Sequence, residues 1–271
     1  MALKIGLESL ESRLFLSLTP ASPRPDTLGA TFDRTERQAL LTRLSNLPSG
    51  TYNTLNANLA ASDVSSFDAN LLNYMRTRSS ASYFFAPGSA ASIASYVNSN
   101  LSIAGQTQTA DWVTDSRLFP AQSSVSSYTV QLPANINWKD ASPSSNPEFL
   151  SALNRQEWWV DLAQSYQYTG NSKYSSELLY ELADWSSENA TFALPASTTQ
   201  YASYGFDFGI RVDNWLMAYN SLLGSGAWTG SANSLLLYKL TQQGDVLNTV
   251  SNSLTDFSNN RTISIGRSPF S

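Results

Sequence analysis

Carboxylates at helical spacing are the first candidates for chemistry in this sequence. Glu177 and Glu181 stand four apart, Asp184 and Glu188 continue the row, and Glu157 and Asp161 repeat the spacing beside Trp158. One helical turn separates such residues, so two carboxylates can share a face. Paired carboxylates hydrolyse a glycosidic bond by inversion when they face each other roughly 6.5–9.5 Å apart, and they then normally come from different elements. Nothing in the spacing shows that second element. The row from Glu177 to Glu188 is therefore read as a solvated helix face, because the stripe Tyr174, Leu178, Leu182 and Trp185 lies elsewhere.

A second candidate is "YASYGFDFGIRVDNW", Tyr201 to Trp215, a Tyr-, Phe- and Gly-rich stretch running into a helix. Arg211 near the helix start has two readings. It pairs with a local acid, Asp207 or Asp213, or it holds a substrate carboxylate or sulfate through paired hydrogen bonds. In the second reading Tyr204 and Trp215 form a stacking floor for a sugar ring. A third stretch, "DFSNNRTISIGR", places Asn260 and Arg261 directly after a helix, where side-chain capping alone would account for them.

The missing residue types narrow the chemistry. The 271-residue chain has no His and no Cys, which excludes Ser-His-Asp, Cys-His and zinc-thiolate sites within it. Acid–base work falls to Asp, Glu, Tyr, Lys or a polarised water. No carboxylate cluster has loop-type ligand spacing, so no metal site is expected. A net charge of −5, without a run of Lys or Arg, argues against nucleic-acid binding. No apolar run reaches about 18 residues, so no membrane helix is expected.

Helices must position these residues. "DRTERQALLTRL" predicts a helix from near Asp33 that stops at "PSG", and Ser66 to Arg78 predicts a second. A short helix is expected within "SYFFAPGSAASIASYV". Residues 100 to 145 read as loop, with a short extended piece in "SSYTVQLPANINW". From Asn146, with Pro147 after it, apolar spacing continues through Phe149, Leu153, Trp159, Leu162 and Tyr166 to a left-handed cap at Gly170. Further helices run from about Lys173 to Ser187, through Ile210 to Leu222, and from about Ala232, the last broken at Gly244. Trp159, Leu162, Tyr166, Leu178, Leu182 and Trp185 are the expected core of the hairpin around Gly170. The fold class is all-α, built of antiparallel helical hairpins; spacing alone leaves a toroid and a bundle both open.

The stretches "TADWVTDSRLFP", "INWKDASPSSNPEF", "LNRQEWWVDLAQSYQYTGNSKYSSELLYELADW", "FGIRVDNWLMAYNSL" and "SNNRTISIGR" resemble, in this order, the N-terminal toroid domain of the heparinase II/III-like polysaccharide lyases. The resemblance covers about residues 75 to 267. It implies an α/α toroid, incomplete here, and β-elimination of a uronate-containing acidic polysaccharide, with no cofactor. It implies that Asn260 and Arg261 neutralise the uronate, and that Arg155, Trp158, Tyr204, Arg211 and Trp215 bind the glycan. The sequence departs from the family at Arg261 and Gln156, where His is common; Arg261 can neutralise a uronate but cannot take a proton. The family's catalytic Tyr lies later in the toroid, and another catalytic residue lies in a β-sandwich beyond it, so the chain is read as a fragment that is inactive alone. A hydrolase using Glu157, Asp161 or Asp213 is one rival, and a non-catalytic glycan-binding or remnant protein is another. At the N-terminus, Leu7 to Leu14 resembles the leader of planctomycete-type exported proteins. Residues 1–28 are thus expected to be an export leader and linker, residues 29 to about 145 pre-toroid helices, and 146–271 toroid hairpins of a secreted or periplasmic protein.

Overall fold

Asp33 starts the first helix as the sequence predicts. Its carboxylate accepts the Glu36 N–H at 3.0 Å, and Glu36 reaches back to the Asp33 N–H at 2.9 Å, a reciprocal capping box. The computed structural model describes residues 32–44, 46–79, 86–120, 130–190 and 205–253. The expected leader, Tyr204, Asn260 and Arg261 lie outside the described residues.

The elements in chain order are helices α1 (Arg34–Arg43), α2 (Ser49–Ala60), α3 (Val64–Thr77), α4 (Ala90–Asn100) and α5 (Ile103–Ser116), then strands β1 (Leu118–Phe119) and β2 (Val130–Gln131). Helices α6 (Phe149–Arg155), α7 (Trp158–Thr169), α8 (Ser172–Glu188), α9 (Gly205–Leu222) and α10 (Gly230–Ser253) follow. The two strands form one antiparallel pair, Leu118 opposite Gln131 and Phe119 opposite Val130. The fold is all-α, and among the described residues no helix is long and apolar enough to cross a membrane.

Helix α7 is the hub, packed on α4, α5, α8 and α9. Trp159 of α7 stacks on Trp215 of α9 at 5.1 Å, and Trp185 of α8 meets Trp215 edge-on at 5.0 Å. All three indoles are buried, as are Leu162, Leu178 and Leu182, so the expected core of the hairpin holds; Tyr166 packs against it partly buried. Gly170 caps α7 in the left-handed conformation, and Asn171 then caps α8 by accepting the Lys173 N–H.

Helices α1 and α3 pack on α10, and polar contacts tie them to each other and to the connection ahead of α10. Arg37 forms a buried pair with Asp68 at 2.7 Å, and Arg76 donates to the carbonyls of Leu223 and Ser225 at 2.7 Å each. Gly230 opens α10 against this surface. A Cβ there would stand 2.9 Å from the Asp68 carbonyl carbon, so no side chain fits.

Four sequence expectations are corrected. The first helix ends at Arg43, and "SGTYNTLNANLA" forms its own helix, α2, whose apolar contribution is only Leu55 and Leu59. Residues 103–116 are helix, not loop; α5 buries a stripe of small residues, Thr107, Ala110 and Val113. The Asn146–Pro147 pair makes a turn ahead of α6, which begins at Phe149, and the expected single helix then breaks at Gln156. Helix α10 runs through Gly244 without a break.

Candidate functional site

The break between α6 and α7 is held by four side chains of α9. Gln156 takes φ 53° and ψ 42°, left-handed for a residue with a side chain, and is fully buried. Such backbone costs of order 1 kcal/mol and persists only where its surroundings enforce it. Here one face of α9 does so. Asp207, Arg211, Asn214 and Trp215 fall at i, i+4, i+7 and i+8, and each grips the turn. Arg211 Nη1 donates to the Asn154 carbonyl at 2.8 Å. Asn214 Nδ2 donates to the Arg155 carbonyl at 2.9 Å. Trp215 Nε1 donates to Gln156 Oε1 at 2.6 Å. Arg155 Nε in turn donates to Asp207 Oδ1 at 2.8 Å.

The electrostatics follow from burial. The Asp207 carboxyl is pushed up from the ordinary carboxylate value by desolvation, against the pull of Arg155. Desolvation lowers the Arg211 guanidinium to about 9, leaving it a cation at neutral pH. Arg211 Nε donates to Gln243 Oε1 of α10 at 2.8 Å, and its guanidinium lies 4.8 Å from the ring centres of both Trp185 and Phe208. Among the described residues, Gln156 Nε2, Gln243 Nε2 and Asp207 Oδ2 are buried without a hydrogen-bond partner.

This geometry sorts the site residues expected from sequence. Arg155 lies at the edge of the network, its side chain 9% exposed. Arg211 and Trp215 are fully buried, which corrects their expected role as glycan contacts: a ring cannot stack where no surface is open. Arg211 is held by Gln243 and by backbone, while Asp207 hydrogen-bonds Arg155. Trp158 is corrected in the same way. It is buried edge-on against Phe119 of β1 at 5.2 Å, and its Nε1 donates to Glu181.

The carboxylate row on α8 is also corrected from a solvated face to a structural one. Glu181 is fully buried; its Oε2 accepts the indole N–H of Trp158 at 2.8 Å and of Trp159 at 2.6 Å. Desolvation, then the charge of Glu177, lifts its carboxyl well above the ordinary value, against the pull of Arg117 and the two indoles. Glu177 pairs with Arg117, and Asp184 Oδ2 accepts Trp138 Nε1 at 2.9 Å. Glu188 Oε2 accepts the Trp138 N–H at 3.2 Å. The signal was present in the sequence: 174, 178, 181 and 185 form one helical stripe, with Glu181 between Leu178 and Trp185.

On α7, Asp161 is raised to about 6 by burial and then by the charge of Glu157, which is itself exposed. Among the described residues no group of three or more His, Cys, Asp or Glu is placed to hold a metal ion.

The sequence profile of a family described as "Heparinase II/III N-terminus" matches residues 44–268. A heparin-sulfate lyase of Pedobacter heparinus is 28% identical over 115 residues, which are 42% of this chain and 17% of that protein. The crystal structure of heparan sulfate lyase HepC from Pedobacter heparinus superposes with TM-score 0.62 at 21% identity, over 86% of this chain and 34% of that one. A heparinase III gene product superposes with TM-score 0.64 at 16% identity, over 88% of this chain and 36% of that one. The chain thus spans about a third of the length of these structures, and at such identities they show a shared fold. The profile match, covering most of the chain, establishes that this protein belongs to the heparinase II/III N-terminal family, with its helical hairpins arranged as in an α/α toroid.

Proposed function

We propose that the chain is the N-terminal toroid part of an exported polysaccharide lyase that cleaves a uronate-containing acidic polysaccharide by β-elimination. Membership in the family, whose aligned relative is a heparin-sulfate lyase, carries the reading. The chemistry suits the residue types. The proton to be removed lies α to the uronate carboxylate and is very weakly acidic, so that carboxylate must be neutralised as the carbanion forms. Asn260 and Arg261 take that role in this reading. The family resemblance implies a Tyr or His as the base, and this chain has no His; a free Tyr titrates near about 10 and works as a base only beside a cation.

Glycan binding centres on Arg155, with Tyr204 as a stacking partner. The planar guanidinium of Arg155 is fixed at Nε by Asp207 and has Glu148 Oε2 3.9 Å from Nη2. Arg211 and Trp215 act through it, by holding its backbone turn. Asn260→Ala is the test in the protein expressed from its whole gene. Turnover of heparan sulfate is expected to fall at least about 100-fold, the size of losing one positioned oxyanion donor, with the fold intact by circular dichroism. An unchanged rate removes Asn260 from the mechanism.

One observation favours a second reading, a glycoside hydrolase. Asp161, raised to about 6, has the protonation a general acid needs. Its near neighbour Glu157 lies one turn away on the same helix, so a facing base from another element is still required. If Asp161→Asn abolishes cleavage and Asn260→Ala does not, the hydrolase stands. Binding without cleavage supports a non-catalytic glycan-binding protein.

A further inference from the structure

Lys239 is a buried cation on α10, only 1% exposed. Its Nζ donates to the carbonyls of Asn189 at 2.8 Å and Ala190 at 3.1 Å. These two residues come directly after α8, which ends at Glu188. The Lys139 ammonium takes the carbonyl before them, that of Glu188. Two lysines thus hold three consecutive carbonyls at a helix C-terminus, where the backbone dipole favours cations. Lys139 is exposed, whereas Lys239 is not. Burial lowers the Lys239 ammonium to about 8, against the pull of Glu36 on α1, so it stays a cation at neutral pH.

A buried ammonium fixes register where apolar packing does not. The buried residues of α10 include Leu235, Leu236, Leu240 and Leu247, and one leucine can take the place of another when such a helix slides. Moving Lys239 by one turn carries Nζ about 5.4 Å along the axis, away from both carbonyls, and leaves its charge buried without them. Gln243, one turn further on, fixes α10 to α9 by accepting Arg211 Nε at 2.8 Å. Both elements that Lys239 joins lead to the proposed site. Tyr204 lies further along the segment that leaves Ala190, and Asn260 and Arg261 come shortly after Ser253, where α10 ends. We propose that Lys239 is a positioning residue for the lyase reaction: one buried ammonium joins the root of the segment carrying Tyr204 to the helix leading into Asn260 and Arg261. It thereby sets the stacking partner against the groups that neutralise the uronate. This rests on the reading that those three residues meet the glycan.

The test uses the protein expressed from its whole gene, with heparan sulfate as substrate and unsaturated uronate as the readout. Lys239→Met fills the same space without the charge. Leu237→Ala is the control: Leu237 is buried about 200° round α10 from Lys239, so its loss thins the packing of the same helix without touching the clamp. Lys239→Met is expected to lower kcat by about ten- to a hundredfold, the scale of a small misplacement of reacting groups, with KM changed by less than about threefold. Leu237→Ala is expected to melt at a lower temperature than the parent and to keep kcat within about twofold. A merely structural lysine would follow the Leu237→Ala pattern. A Lys239→Met variant with the kcat of the parent therefore overturns the positioning role, and so does an equal fall of kcat in Leu237→Ala. Both of those results leave the lyase reading standing, because the parent is active in them. A parent that makes no unsaturated uronate overturns the lyase reading, and the positioning role with it.

Discussion

Glu181 shows how one residue changes meaning with its surroundings. Its single oxygen Oε2 receives two indole N–H groups, while Oε1 is buried with no hydrogen-bond partner among the described residues. An ionised carboxylate is costly there, and the raised titration point says that the fold prefers the neutral acid. A group raised on folding contributes its full stability below the unfolded value near 4.5 and loses it as pH climbs towards the folded value. Glu181→Gln keeps an oxygen acceptor for both indoles and removes the ionisation. The variant is expected to melt close to the parent at about pH 4 and roughly 2–6 °C above it at pH 8. Thermal denaturation across that range checks this; a lower melting point at pH 8 would show that the charged form is the one the fold holds. Trp215 is the opposite case, an aromatic legible as packing material but first assigned to a glycan floor. Trp215→Ala removes a ring that stacks on Trp159, meets Trp185 and holds Gln156. A loss of about 3–5 kcal/mol in chemical denaturation is expected. Composition cannot tell a buried Trp from a stacking platform, because both uses draw on the same flat apolar ring.

At the scale of elements, what the sequence made legible tracks the strength of its periodicity. Helix α8 has a full stripe from Tyr174 to Trp185 and a capping Asn, and it was placed to within a residue or so. Helix α2 carries two buried leucines in a polar, Asn-rich segment, and α5 buries mainly small residues. Both are made helical by tertiary packing, which no local pattern records. The left-handed break at Gln156 was invisible for a related reason. The α9 face that enforces it lies about 50–60 residues away in sequence, and nothing local asks for a turn. Gly244 erred the other way: glycine weakens a helix by about 1 kcal/mol, and the packing of α10 on α1, α3, α8 and α9 outweighs it. Gly230 is the glycine that geometry does require. Gly230→Ala places a Cβ 2.9 Å from the Asp68 carbonyl carbon and is expected to destabilise by about 1–3 kcal/mol, read from the denaturant midpoint. An unchanged midpoint would mean that α3 and α10 can part without cost.

Over the whole molecule, the all-α class followed from spacing, but the toroid arrangement needed the family resemblance. Short-range periodicity says which faces are apolar, not which hairpins meet across a molecule. The candidate site was legible in part for the same reason. Arg155 is readable from the sequence as a candidate, and the structure places it at the end of α6 beside Asp207, which, some 50 residues on, reads from the sequence only as a local partner for Arg211. Export through the Leu7–Leu14 leader is the part of the proposal that belongs to the intact protein. Its mature form, isolated from the source cell, is expected to lack about the first 28 residues by mass spectrometry of its N-terminus, the expectation for a removed targeting segment. A retained Met1 in an exported protein would remove the leader.

The central claim is the reaction, and the ultraviolet absorbance of its products tests it most directly. The protein expressed from its whole gene is incubated with heparan sulfate, and with a second uronate polymer such as alginate. New chain ends are counted alongside the absorbance of unsaturated uronate. The account predicts that absorbance rises in step with new ends on at least one polymer. New ends without any rise in absorbance would contradict it, because hydrolysis leaves a saturated sugar where β-elimination leaves a double bond.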